Sequence, residues 1–233
     1  MINRRHIRIK VMQSLYALIQ TNSDALDKEE KFLTASIDRM YDLFVVILLL
    51  LLEVRKMEKN HIKIAKKKYL ATSEELNPST FFIDNQIFAI INDSASLKAY
   101  AKKKKLNFWE LDSEYVQDIW KSIKEDEGYK AYMKKASTNF SDDRELIVEL
   151  YRNIIAPNDK LADYFEDKAI SWTDDIPFVN TWIVKVLNQM KPNQPLRLGE
   201  IYKDQDDEKF VTDLFRKVFL NHTDFEQYIK DKT

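Results

Sequence analysis

Arg4, Arg5, His6, Arg8, Lys10, Gln13 and Tyr16 hold the most readily assigned chemistry in this sequence. Cations neutralise phosphates, a carboxamide hydrogen-bonds a base edge, and a phenol ring stacks on an unpaired base. No acidic residue precedes Asp24, although the whole chain balances 37 Lys and Arg against 38 Asp and Glu. A chain so close to neutral exerts no whole-surface attraction on nucleic acid, so such binding must come from a local patch. A helix start suits that role, because its free N–H groups and dipole favour anions. Packing offers a second reading of the same residues, in which the arginines lay their stems over the core edge and pair with internal carboxylates.

Little else in the sequence points to chemistry. His6, His61 and His222 are widely separated, and no HExxH, GxGxxG, Walker A or GxSxG pattern is present. The lack of cysteine excludes disulfides and thiolate metal sites. The densest carboxylate clusters, at 125–127 and 204–208, fit a helix end and a helix start, where surface charge and capping explain them. The expectation is a protein that is not an enzyme and needs no cofactor or metal. Trp109, Trp120, Trp172 and Trp182 each sit with aliphatic residues at helical spacing, which predicts core packing.

The elements that position these residues read as helices. Two glycines and five prolines in 233 residues are too few for the turns of a β or α/β chain, which predicts an all-α helical bundle. Residues 4–20 form the first helix, with Ile7, Val11, Leu15 and Leu18 as its buried stripe and Met12 and Ile19 widening it. Arg4 and Arg8 project from the N-terminal part of that face, and Arg5 lies at its edge with Met12 and Tyr16 further along. A polar connection over 21–28 precedes a long helix that starts near Lys31 or Asp38 and reaches residue 70. Its apolar run at 44–54 falls short of the roughly 20 residues that span a bilayer, so it predicts a buried central helix. With no signal-peptide pattern and no cysteine, a soluble cytoplasmic protein is the simplest reading. The lysines at 66–68 and 102–105 complement negative helix ends. The polar stretch within 128–143 is the preferred lobe boundary. Asp142 caps a helix reaching Ile155, Asp174 caps one with Pro177 in its first turn, and Asp206 or Asp207 caps one carrying Phe210, Leu214, Phe215, Val218 and Phe219. A last helix spans 224–230.

Arg5, Arg8, Gln13, Leu15 and Tyr16 spell R-x-x-R-x-x-x-x-Q-x-L-Y, which resembles the opening helix of the NusB family, the all-helical bacterial transcription antitermination factors. DEKFVTDLFRKVFLNHTDFEQYIKDK, at 207–232, is similar to the family's later helix pair. The resemblance implies a NusB-like bundle in which 1–27 supplies the RNA-binding helix, 28–205 is a large helical insertion, and 206–233 supplies the later helices. The family's Trp-containing turn and closing helices are missing after Thr233. It further implies that Arg4, Arg5, His6, Arg8, Lys10, Gln13 and Tyr16 contact boxA-type single-stranded RNA within a transcription complex that includes NusE, a ribosomal-protein partner. Without the closing helices the apolar side of 210–220 is uncovered, which predicts a homo-oligomer. The alternatives are a non-catalytic helical scaffold whose arginines make internal ion pairs, or an RNA-binding module that works with an rRNA-modifying enzyme on another chain.

Overall fold

A computed structural model describes residues 2–20, 25–69, 72, 76–202, 204 and 206–221. Their regular structure is α1 (Arg4–Gln20), α2 (Leu26–Ala65), α3 (Gln86–Asn92), α4 (Ala95–Lys104), α5 (Phe108–Leu111), α6 (Ser113–Glu125), α7 (Glu127–Met133), α8 (Phe140–Leu150), a π-helical turn (Tyr151–Ile155), α9 (Asp159–Lys168), α10 (Ser171–Gln189) and α11 (Asp207–Leu220). The chain is thus an all-α helical bundle; among the described residues the only β feature is an isolated parallel bridge between Ile2 and Tyr202. No helix among them is long and apolar enough to cross a membrane. The helix expected over 224–230 and residues 21–24 of the connection expected over 21–28 lie outside the described residues.

The chain divides into two compact units, one of Met1–Tyr41 with Gly199–Thr233 and the other of Asp42–Leu198. These boundaries differ from those expected at 28 and 205, since the first falls inside α2. Residues 128–143 lie within the second unit, because Tyr129, Tyr132 and Asp143 are buried there despite the polar residues between them. The Tyr132 hydroxyl donates to Asp143 at 2.6 Å, and the Gln86 N–H donates to the same carboxylate at 2.9 Å, which fastens α7 and α8 to the start of α3.

In the first unit α1 packs on α11. Ile7, Val11, Leu15 and Leu18 of α1 are buried, as are Val211 and Phe215 of α11 and Leu33 and Ile37 of α2. The Ile2 N–H donates to Ile201 O at 2.9 Å and the Tyr41 hydroxyl to Gly199 O at 2.6 Å, joining the two chain-terminal segments. Arg216 of α11 bonds Glu30 and Asp27 of α2, the latter at 3.0 Å.

In the second unit α2 is enclosed, as its apolar run predicts. Leu43, Phe44, Val45, Val46, Ile47, Leu48, Leu50 and Leu51 are all buried, which no one-sided helix allows. Trp182 stacks on Phe44 with centroids 4.2 Å apart, the Trp109 indole donates to Val46 O at 2.9 Å, and Arg55 donates to Ile83 O at 2.6 Å. α2 begins at Leu26, earlier than expected, with Asp27 and Glu29 in its first turn where carboxylates oppose the helix dipole favourably. Asn139 rather than Asp142 caps α8; Asp142 closes the other half of a reciprocal capping box. α10 starts at Ser171, so Asp174 sits in its first turn and Pro177 inside it.

Candidate nucleic-acid interface

α1 carries two apolar stripes on different sides. Among the described residues, only the one containing Ile7, Val11, Leu15 and Leu18 is buried against other helices. Ile9, Met12, Tyr16 and Ile19 are 42%, 63%, 66% and 56% exposed. With Arg5 they fall at spacings of four, three, four and three, the repeat of a single helix face. Met12 and Ile19 therefore do not widen the buried stripe, since the packed neighbours reach only the other side of the helix. Arg5 and Arg8 are exposed beside this second stripe.

The cations of the first turns divide into distinct roles. Arg4 donates from Nε to the fully buried carboxylate of Asp207 at 3.1 Å, and its guanidinium lies 4.9 Å from the Phe210 ring centroid. It is committed to the α1–α11 contact. The Arg8 guanidinium lies 5.8 Å from the centroid of the same Phe210 ring and remains exposed. Lys10 is only 5% exposed and belongs to the packed side of the helix. Gln13 is half-buried. Burial foremost, then the Arg5 charge and the chain amino terminus, lowers the pKa of His6 from its ordinary 6.5, so the imidazole is neutral at pH 7 and adds no cation.

The start of α1 differs from an open anion site. The Asn3 side-chain oxygen accepts from the N–H groups of Arg5 at 3.0 Å and His6 at 3.3 Å, so two of the amides expected to hold a phosphate already have a partner. The usable part of the site is thus displaced along the helix, to Arg5, Arg8, Met12 and Tyr16. Three contributors escaped the sequence reading. Ile9 has a legible spacing, whereas Asp207 and Phe210 carry no local signal because they meet α1 only through the fold. Among the described residues no three His, Asp or Glu side chains gather closely enough to hold a metal ion. Compared with known proteins the chain finds no match, whether among family models, curated proteins or solved structures.

Proposed function

We propose that α1 binds single-stranded RNA through Arg5, Arg8, Met12 and Tyr16, and that the protein is a NusB-like antitermination factor acting on boxA-type RNA beside a NusE-type ribosomal protein. The observation that carries this reading is the exposure, on one acid-free helix, of two cations next to an aromatic ring and a thioether. Arg5 and Arg8 neutralise backbone phosphates, while Tyr16 and Met12 offer apolar faces to unstacked bases. Gln13 supplies a hydrogen bond to a base edge from the border of the strip. Recognition of this kind transfers no proton and breaks no bond, so the chain acts as a binding module rather than an enzyme. The likeness of the R-x-x-R-x-x-x-x-Q-x-L-Y pattern to the NusB opening helix supports the same reading.

Titration of a boxA-type RNA across a range of salt concentrations tests it. Arg5→Ala with Arg8→Ala is expected to weaken binding and to reduce the slope of log affinity against log salt by about 1.4, two phosphate contacts on a single strand. Tyr16→Ala is expected to weaken binding at every salt concentration without changing the slope, because stacking releases no counterion. The Arg4–Asp207 pair favours a second reading, a helical scaffold whose arginines serve only internal contacts. An unchanged affinity and slope in the Arg5, Arg8 double variant selects that scaffold reading.

A further inference from the structure

The last turns of α2 carry a charge pattern that RNA binding by α1 leaves unused. Lys56, Lys59, Lys63 and Lys66 follow one another at spacings of three, four and three, and Lys67 adjoins them, so they share one face of the helix. All five are exposed. The helical path carries through to the end of the row, since the Lys66 N–H donates to Ile62 O at 3.1 Å and the Lys67 N–H to Ile64 O at 3.0 Å. Another face of the same turns is fixed in the interior. Val54, Glu58, Ile62 and Ala65 are buried, and Glu58 is bonded to the Trp120 indole and to Lys124.

Most of the row is uncompensated. No acidic residue stands between Glu58 and Glu74 in the sequence. Among the described residues Lys59, Lys63, Lys66 and Lys67 hold no carboxylate, whereas Lys56, Lys130, Lys135, Lys160 and Lys168 of the same unit each hold one at 2.6–3.0 Å. Like charges three and four apart on a helix repel each other. The helix dipole accounts for cations in the final turn only, and Lys59 lies six residues before Ala65, where α2 ends. Cations about 5 Å apart along a rigid edge, unanswered within the fold, match a polymer of phosphates better than a single anion. A helix lying on a membrane needs an apolar face to bury; here Ile62 and Ala65 are spent on the core, leaving only Ile64 and Tyr69 exposed. We infer that Lys59, Lys63, Lys66 and Lys67 form a nucleic-acid contact of the second unit, which holds the sugar–phosphate backbone without reading bases. No residue of α1 enters it, so it stands or falls separately from the function proposed for that helix.

The test uses the full chain carrying Arg5→Ala with Arg8→Ala, which removes the contribution proposed for α1, and a labelled mixed-sequence RNA offered as single strand and as duplex. Fluorescence anisotropy at low salt is expected to show binding of at least one form, and the tighter of the two identifies the backbone that the row fits. Adding Lys59→Gln with Lys63→Gln, at exposed positions where folding tolerates the change, is expected to weaken that binding about tenfold or more. The slope of log affinity against log salt is expected to fall by about 1.4 on the single strand or about 1.8 on the duplex, two phosphate contacts in either case. The same loss of charge at Lys130 and Lys160, which are already paired with carboxylates, is expected to have a much smaller effect. Phosphatidylserine vesicles are the comparison surface and are expected to bind more weakly than RNA. The inference is overturned if the Arg5, Arg8 variant binds neither form of RNA at low salt, or if the Lys59, Lys63 substitutions leave affinity and slope unchanged. It is equally overturned if Lys130→Gln with Lys160→Gln costs as much, which makes the effect one of net charge, or if the vesicles bind as tightly as RNA, which makes the row a membrane contact.

Discussion

His6 lies among four cations yet contributes no charge of its own at neutral pH, and this gives folding a pH dependence with a definite sign. Its folded pKa is depressed by burial and by Arg5, so between the folded value and 6.5 the unfolded chain binds more protons. The stabilisation is fully present above pH 6.5 and is lost as pH falls through the folded value. Urea unfolding between pH 7.5 and about 5, above most carboxylate titration, is expected to show stability declining toward acid, and His6→Gln to flatten that decline. Asp207 makes a different contribution. It is buried and accepts from Arg4 at 3.1 Å and from the Asp204 N–H at 3.3 Å, but Arg4 itself is half in solvent. Asp207→Ala lets Arg4 rehydrate, so the expected cost is about 1–2 kcal/mol rather than the larger penalty of a fully enclosed pair. Arg4→Ala is expected to lower stability while leaving the salt slope of RNA binding intact, which separates an anchoring arginine from the phosphate-binding pair Arg5 and Arg8.

At the level of elements, the interior of the second unit depends on a carboxylate of α2 that no local pattern betrays. Glu58 is buried and accepts from the Trp120 indole at 2.7 Å, from Lys124 at 3.1 Å and from the Tyr129 hydroxyl at 3.3 Å, tying α6 and α7 to α2. Burial and then the Glu58 charge raise the Tyr129 pKa, so the phenol stays a donor. Glu58→Ala strands two largely buried donors and is expected to cost about 2–3 kcal/mol, measured by denaturant unfolding, with the Trp120 indole resonance moving toward its solvent-exposed position. Glu58 carries no local signal in the sequence, because its partners lie 62 to 71 residues away. By contrast the enclosure of α2 was legible, since apolar residues on every side of a helix leave no alternative. The helix start at Asn139 was half legible. Asn139 and Asp142 are both capping residues three apart, and only the backbone decides which caps and which reciprocates. For α1 the two stripes could be read from spacing, but which one is buried depends on α11, a partner about two hundred residues distant in the chain. Which carboxylate Arg4 meets was illegible for the same reason, because Asp207 arrives with α11.

For the molecule as a whole, a net charge of -1 offers little repulsion between copies. The exposed strip of Ile9, Met12, Tyr16 and Ile19 is therefore free to bury itself against a second copy at high concentration. Self-association through this strip is expected in sedimentation experiments; on the apolar side of 210–220 Val211 and Phe215 are buried, while Leu220 is 69% exposed. Salt separates the two uses of the strip. Apolar association persists or strengthens as salt rises, whereas RNA binding weakens through counterion release. Met12→Glu with Ile19→Glu is expected to keep the protein monomeric. RNA should also shift wild-type protein toward monomer, because a ligand that takes the same surface stabilises the free copy by mass action. If the oligomer survives both the substitutions and saturating RNA, its contact lies away from α1. The exposed strip would then be available to RNA at every protein concentration, and binding curves would be independent of how much protein is present.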